Sequence, residues 1–191
     1  MDRVEKKLQA GKRLSKLDAT KNLKNSEAIM KEEDFIVSKT DTKGFITYVN
    51  RIFVNMAGWS RQELIGANHN IIRHPDMPKI AFKIVWDLIS SKQEFFGFVK
   101  NLRKDGGYYW VFAYITADLD LNGNIIGYTS FRKKPSQKAI DTLTPIYQAL
   151  VNAEKSGGIN ASYELLKQTL NATDENIIEK YNELVFTLQK G

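Results

Sequence analysis

The sequence predicts an α+β fold: a five-stranded antiparallel sheet with short helices and one longer helix on one face, plus helical extensions at both termini. Three observations carry this expectation. Two alternating apolar segments, 35–40 and 45–49, flank Asp41-Thr42-Lys43-Gly44, where Gly44 can supply the positive φ of a tight turn. Three further strand-like segments, FFGFVKNLRK, YYWVFAYITADLD and NIIGYTSFRK, are divided at Asp105-Gly106 and Asn122-Gly123, both strong hairpin signals. Between the two groups, residues 77–89 repeat apolar side chains at helical spacing.

The elements follow in order. After the first hairpin, Ile52, Phe53 and Met56 suggest a short helix ending at Gly58, and Ser60 with Glu63 forms a capping-box pattern that opens another. For the helix over 77–89, Asp76 is placed as N-cap and Pro78 in the first turn. Met77, Ile80, Ala81, Ile84, Val85 and Leu88 make one stripe, and Phe82, Trp86 and Ile89 widen it to about two thirds of the circumference. A helix resting on one sheet needs less. The Phe82 and Trp86 edge therefore faces a further apolar object, either chain or a flat ligand.

In the middle strand of the second group, Val111, Ala113, Ile115 and Ala117 share one face, and Trp110, Phe112 and Tyr114 share the other. The small face leaves space beneath the helices. The aromatic face needs cover from a terminal helix or a second subunit. Helical patterns over 139–153, 162–170 and 174–188, interrupted at Gly157-Gly158, offer such cover.

The expected organisation is a basic N-terminal extension over 1–33, helical or partly disordered, then a domain over 34–134 and a C-terminal helical extension over 135–191. Up to residue 31 there are nine Lys or Arg against four acids, the main source of the net charge of +6. The segment has no aromatic side chain to stack on bases, which disfavours a nucleic-acid arm. No apolar run is long enough to insert in a bilayer, and the expected location is the cytoplasm, with recruitment to the inner membrane through a partner. The chain has no cysteine, which excludes disulfides, thiolate metal sites and cysteinyl adducts.

The stretch HNIIRHPDMPK, residues 69–79, holds both histidines, an Arg, an Asp and two prolines. His69, His74 and Asp76 would give at most three metal ligands, a weak metal reading. A general base would need a substrate pocket that the sequence does not show. A structural cap at Asp76 and a loop that binds a phosphorylated cofactor both stay open.

Two strands, short helices, a longer helix and three antiparallel strands is the order of a PAS domain. HNIIRHPDMPKIAFKIVW, FGFVKNLRKDGGYYWV and IIGYTSFR resemble the PAS domain of the aerotaxis receptor family, including its shorter energy-taxis relatives, over about residues 34–149. RHPDMP is the most specific part. The resemblance implies a PAS fold holding FAD as a redox sensor, with site residues at Asn50, Arg73, His74, Asp76, Trp86 and Asn101. Arg73 and His74 can donate to pyrophosphate or ribityl oxygens, Asn50 and Asn101 can bond ring or ribityl edges, and Trp86 can line the wall beside Phe82. Phe95 stands where the family often has Trp, keeping an aromatic wall without the indole N–H.

The resemblance also implies signalling to a membrane-bound chemotaxis transducer, or a homodimer, through the outer sheet face and flanking helices, with no catalysis. Two alternatives remain: a cofactor-free PAS interaction module, and a haem gas sensor with His69 or His74 as axial ligand.

Overall fold

The computed structural model describes residues 19–190; expectations for 1–18 lie outside the described residues. The elements are β1 (Ile36–Thr40), β2 (Ile46–Val49), α1 (Arg51–Ala57), α2 (Arg61–Leu64), a 3-10 turn (His69–Ile72), α3 (Lys79–Ser90), β3 (Phe95–Leu102), β4 (Tyr108–Leu119), β5 (Ile125–Lys133), α4 (Gln137–Leu170) and α5 (Ile177–Lys190). The five strands form one antiparallel sheet in the order β2-β1-β5-β4-β3. The α+β class and the strand count follow the sequence pattern.

Local signals explain most of the elements. Asn50 caps α1: its Oδ1 accepts from Phe53 N at 3.0 Å and from Val37 N at 3.2 Å. Ser60 and Glu63 form the expected capping box on α2. The cap of α3 differs from expectation. Pro78 occupies the N-cap position with no side-chain bond, and Asp76 is drawn aside by Lys100 Nζ at 2.7 Å. In its place Glu154 of α4 accepts from Ile80 N at 2.9 Å and from Ser162 Oγ at 3.2 Å. A carboxylate at a helix N-terminus satisfies an orphan donor and opposes the helix dipole. Glu154→Ala is thus expected to cost about 1–2 kcal/mol, and Asp76→Ala under about 0.5 kcal/mol, in urea titrations. Equal costs would show that α3 is not capped from α4.

The sheet's inner face meets α1, α2 and the 3-10 turn in a core that includes Phe53, Trp59, Leu64, Ile72 and Tyr109. A second core joins α3, α4 and α5 to Phe95, Phe98 and Trp110. α4 breaks at Gly158, whose φ of 70° and ψ of −167° no helix accommodates, so it is two rods, as Gly157-Gly158 suggested. Its first rod covers part of the outer face: Tyr147 stacks on Trp110 at 6.0 Å and donates to Phe98 O at 2.8 Å. Tyr181 of α5 stacks on Phe95 at 6.2 Å. Phe96, Tyr114 and Phe131 form a stacked row; Phe186 of α5 packs on Phe96 at 5.0 Å, and Phe131 at the far end is 44% exposed.

The N-terminal segment, where it is described, docks on the domain. Lys24 N donates to Gly106 O, Ala28 N to Tyr108 O and Tyr108 N to Ser26 O, while Ala19 and Met30 are buried. The expected helical or partly disordered extension is instead anchored, where it is described, by two well-placed side chains and three main-chain bonds.

Both sheet edges are partly covered. On β3, Phe98 O is taken by Tyr147, Lys100 N approaches Met77 Sδ at 3.2 Å, and Asn101 bridges to Arg73. On β2, Ile46 bonds to Ala67 and Gly66, and Val49 O accepts from Arg61 at 3.1 Å.

Candidate functional site

The small face of β4 does leave space. A cavity of about 300 Å³ lies between the inner sheet face and α3, within the range of small-molecule sites. Its floor is Val99 and Asn101 of β3, Ala113 and Ile115 of β4, Tyr128, Ser130 and Arg132 of β5, and Ser38 and Thr40 of β1. Phe82, Val85, Trp86 and Ile89 of α3 form the roof, and residues 68–70 with Ile72 and Arg73 close one side. The roof and the centre of the floor are apolar, so the polar atoms sit around the rim and one end.

Of the eight residues expected at a cofactor, four line this cavity. Arg73 lies over the Phe82 ring at 4.0 Å, Trp86 meets Tyr128 edge-on at 5.4 Å, and Asn101 is buried with its Nδ2 lacking any partner. Trp86 is 42% exposed and marks the mouth. The other four point elsewhere. Asn50 is engaged as the α1 cap and also donates to Phe35 O at 2.7 Å. Phe95 packs under Tyr181. His74 turns away from the cavity: its Nδ1 accepts from Asp76 N at 3.1 Å and its ring meets Tyr108 edge-on at 5.9 Å. Asp76 pairs with Lys100.

Burial, then Lys100, pushes the His74 imidazole down to about 4, with Asp76 opposing. His69 does reach the cavity wall, stacked on Phe53 at 5.8 Å. Its Nε2 accepts from Arg132 Nη2 at 3.0 Å and contacts Ser38 Oγ at 3.2 Å. The proton of the neutral ring must then sit on Nδ1. Burial, then Arg132, holds it at about 3. That engagement leaves no open nitrogen for haem iron, and no metal-holding cluster of His, Asp and Glu occurs among the described residues.

A family-level match to the PAS fold covers residues 46–132. Residues 46–132 have the PAS fold. The chain is 40% identical over 119 residues to the aerotaxis receptor of Escherichia coli (strain K12), a stretch that is 62% of this chain and 23% of that receptor. It is 27% identical over 103 residues to the bacterioopsin transcriptional activator of Halobacterium salinarum, covering 54% of this chain and 15% of that protein. The chain spans less than a quarter of the aerotaxis receptor's length. The light-state structure of the blue-light photoreceptor Aureochrome1 LOV has the same fold, with a TM-score of 0.50 at 22% identity over 65% of this chain and 92% of that one.

The PAS cavity also contains polar residues that the sequence reading passed over: Ser38, Ser130 and Arg132. A signal was available. The register pairs Ala113 with Arg132 and Ile115 with Ser130, so the alternation that assigns Ala113 and Ile115 to the inner face assigns Ser130 and Arg132 to it as well. Polar side chains on a face destined for burial mark a site or a buried network.

Proposed function

We propose that this PAS domain binds FAD with the ring system in the cavity and acts as a redox sensor that signals by contact with a chemotaxis transducer. The observation that carries the reading is the buried, unpartnered Asn101 amide facing an apolar slot. An orphaned donor in a low-dielectric site is costly unless a ligand supplies the acceptor. A flavin ring fits the donor set: it is flat, and its carbonyl edge offers acceptors to Asn101. The relation to the aerotaxis receptor supports the same choice.

When bound, the flavin would supply reversible electron transfer that changes charge and hydrogen bonding at its ring. The chain's own residues do the rest. Phe82, Val85 and Ile89 exclude water above the ring, and Asn101 orients it. Arg73 stands at the rim beside Trp86, placed to hold a phosphate that leaves through the mouth. Arg73 also feels the Glu154 carboxylate, which caps α3 from α4. A change at the rim therefore reaches the helical extension through one residue. Tyr114 and Phe131 on the outer face, next to the Phe96 and Phe186 pair, are the surface a transducer would meet.

The test begins with a spectrum. Purified protein is expected to be yellow and to release FAD on denaturation; a colourless protein that takes up no FAD, or one with a Soret band, overturns the reading. Arg73→Ala should weaken FAD binding about tenfold, the worth of one charge-assisted hydrogen bond, with circular dichroism unchanged. Capture of the transducer from oxidised and reduced protein tests the output. Equal capture in both states would leave a flavin scaffold without a switch.

A further inference from the structure

We propose that Arg132 is the anion-recognising group of the cavity, so that the ligand turns an anionic or carbonyl-rich edge toward the junction of β1 and β5. This deepens the flavin reading and rests on it only for the identity of the ligand.

The Arg132 side chain is 3% exposed, on the inner face in the middle of the sheet. Its Nε donates to Ser130 Oγ at 2.9 Å, and its Nη2 donates to Ser38 Oγ and to His69 Nε2. One face lies over the Phe53 ring at 4.8 Å. Nη1 has no partner, although the residue lines the cavity.

Every partner is neutral. Two hydroxyls, an imidazole nitrogen and a ring fix the guanidinium in place, but no carboxylate among the described residues pairs with it. Burial lowers its pKa to about 10, still well above neutrality, so it is a cation. A buried guanidinium normally has a counter-ion, because isolated charge in a low dielectric is strongly unfavourable. A buried charge that lacks a counter-ion does not hold the fold together, and an apolar side chain of similar volume in its place is expected to raise stability. An uncompensated cation with a donor directed at a cavity is instead arranged for a counter-charge that arrives with the ligand. The apolar roof and floor restrict that ligand to a flat molecule. Its second polar contact is Asn101, two strands away across β4.

The experiment uses the whole chain, freed of flavin, as wild type, Arg132→Met and Arg132→Lys. Three results are expected. Flavin-free Arg132→Met melts several degrees above flavin-free wild type, because an unpaired charge has gone. Its affinity for FAD falls at least about tenfold. Salicylate, a flat monoanion, raises the wild-type melting temperature more than its neutral analogue salicylamide, and the difference vanishes in Arg132→Met but persists in Arg132→Lys. A flavin-free Arg132→Met that melts below wild type, or cannot be obtained folded, assigns Arg132 a structural role and overturns the proposal. So does a wild type that responds equally to salicylate and salicylamide. If wild type takes up no FAD yet discriminates between the two small probes through Arg132, the flavin reading falls and the assignment of Arg132 stands.

Discussion

Between pH 6.5 and 4 the protein is expected to lose stability steeply, because both histidines are held neutral in the fold. His69 is pushed to about 3 by burial and then by Arg132; His74 is pushed to about 4 by burial and then by Lys100. In the unfolded chain each takes its proton near 6.5, so over this range the unfolded state holds more protons and acid favours it. The contribution is fully present above 6.5 and is lost as the pH falls toward the folded values. Each histidine adds a slope of up to about 1.4 kcal/mol per pH unit, a few kcal/mol in all. The check is urea unfolding across this range. His69→Gln, whose amide can still accept from Arg132, should remove about one proton from the slope, leaving that of His74. A slope unaltered by His69→Gln would mean that His69 titrates normally in the fold.

Gly97→Val is the second large effect. Gly97 lies on β3 where a Cβ would meet the Tyr181 hydroxyl and the Phe95 ring. Tyr181 is buried, its hydroxyl shares hydrogen bonding with Tyr147, and Val185 and Leu188 of the same helix are buried with it. A branched side chain at Gly97 cannot be absorbed by a neighbour's flexible tip, so α5 must lift. The expected cost is about 3 kcal/mol, at the upper end for overpacking, with α5 becoming the first site of limited proteolysis. Gly123→Asn is the control, because nothing lies within 4 Å of a Cβ there and Asn tolerates a positive φ. A loss at Gly97 no larger than that at Gly123 would show that α5 is not seated on Gly97.

What the sequence revealed depended on how far apart the interacting residues lie. Asp105-Gly106 and Asn122-Gly123 act over four residues, and the Ser60–Glu63 box over three, so these features were legible at once. The roof residues Phe82 and Trp86 were legible because a helix that is apolar over most of its surface needs a second neighbour. Glu154 capping α3 was not, since 74 residues separate it from Ile80 and no local pattern links them. Asn50 shows the reverse: an Asn directly before a helix is a cap signal, yet the family resemblance drew it into the cofactor set. His74 could not be placed because its direction depends on Tyr108, which arrives from another strand. Arg132 was within reach of the period-two rule, and only its charge made the inner face an unexpected home.

The covered edges of the sheet determine how any partner can attach. Where outward main-chain groups of β2 and β3 are taken by residues 66–67, Arg61, Tyr147 and the segment around Met77, an incoming peptide finds no ladder to extend. Recognition at those stretches must then pass through side chains on the faces and helices, where each contact depends on the identity of the residue. The same cover interrupts the strand-to-strand growth that open sheets invite, so neighbouring copies have less continuous edge along which to polymerise.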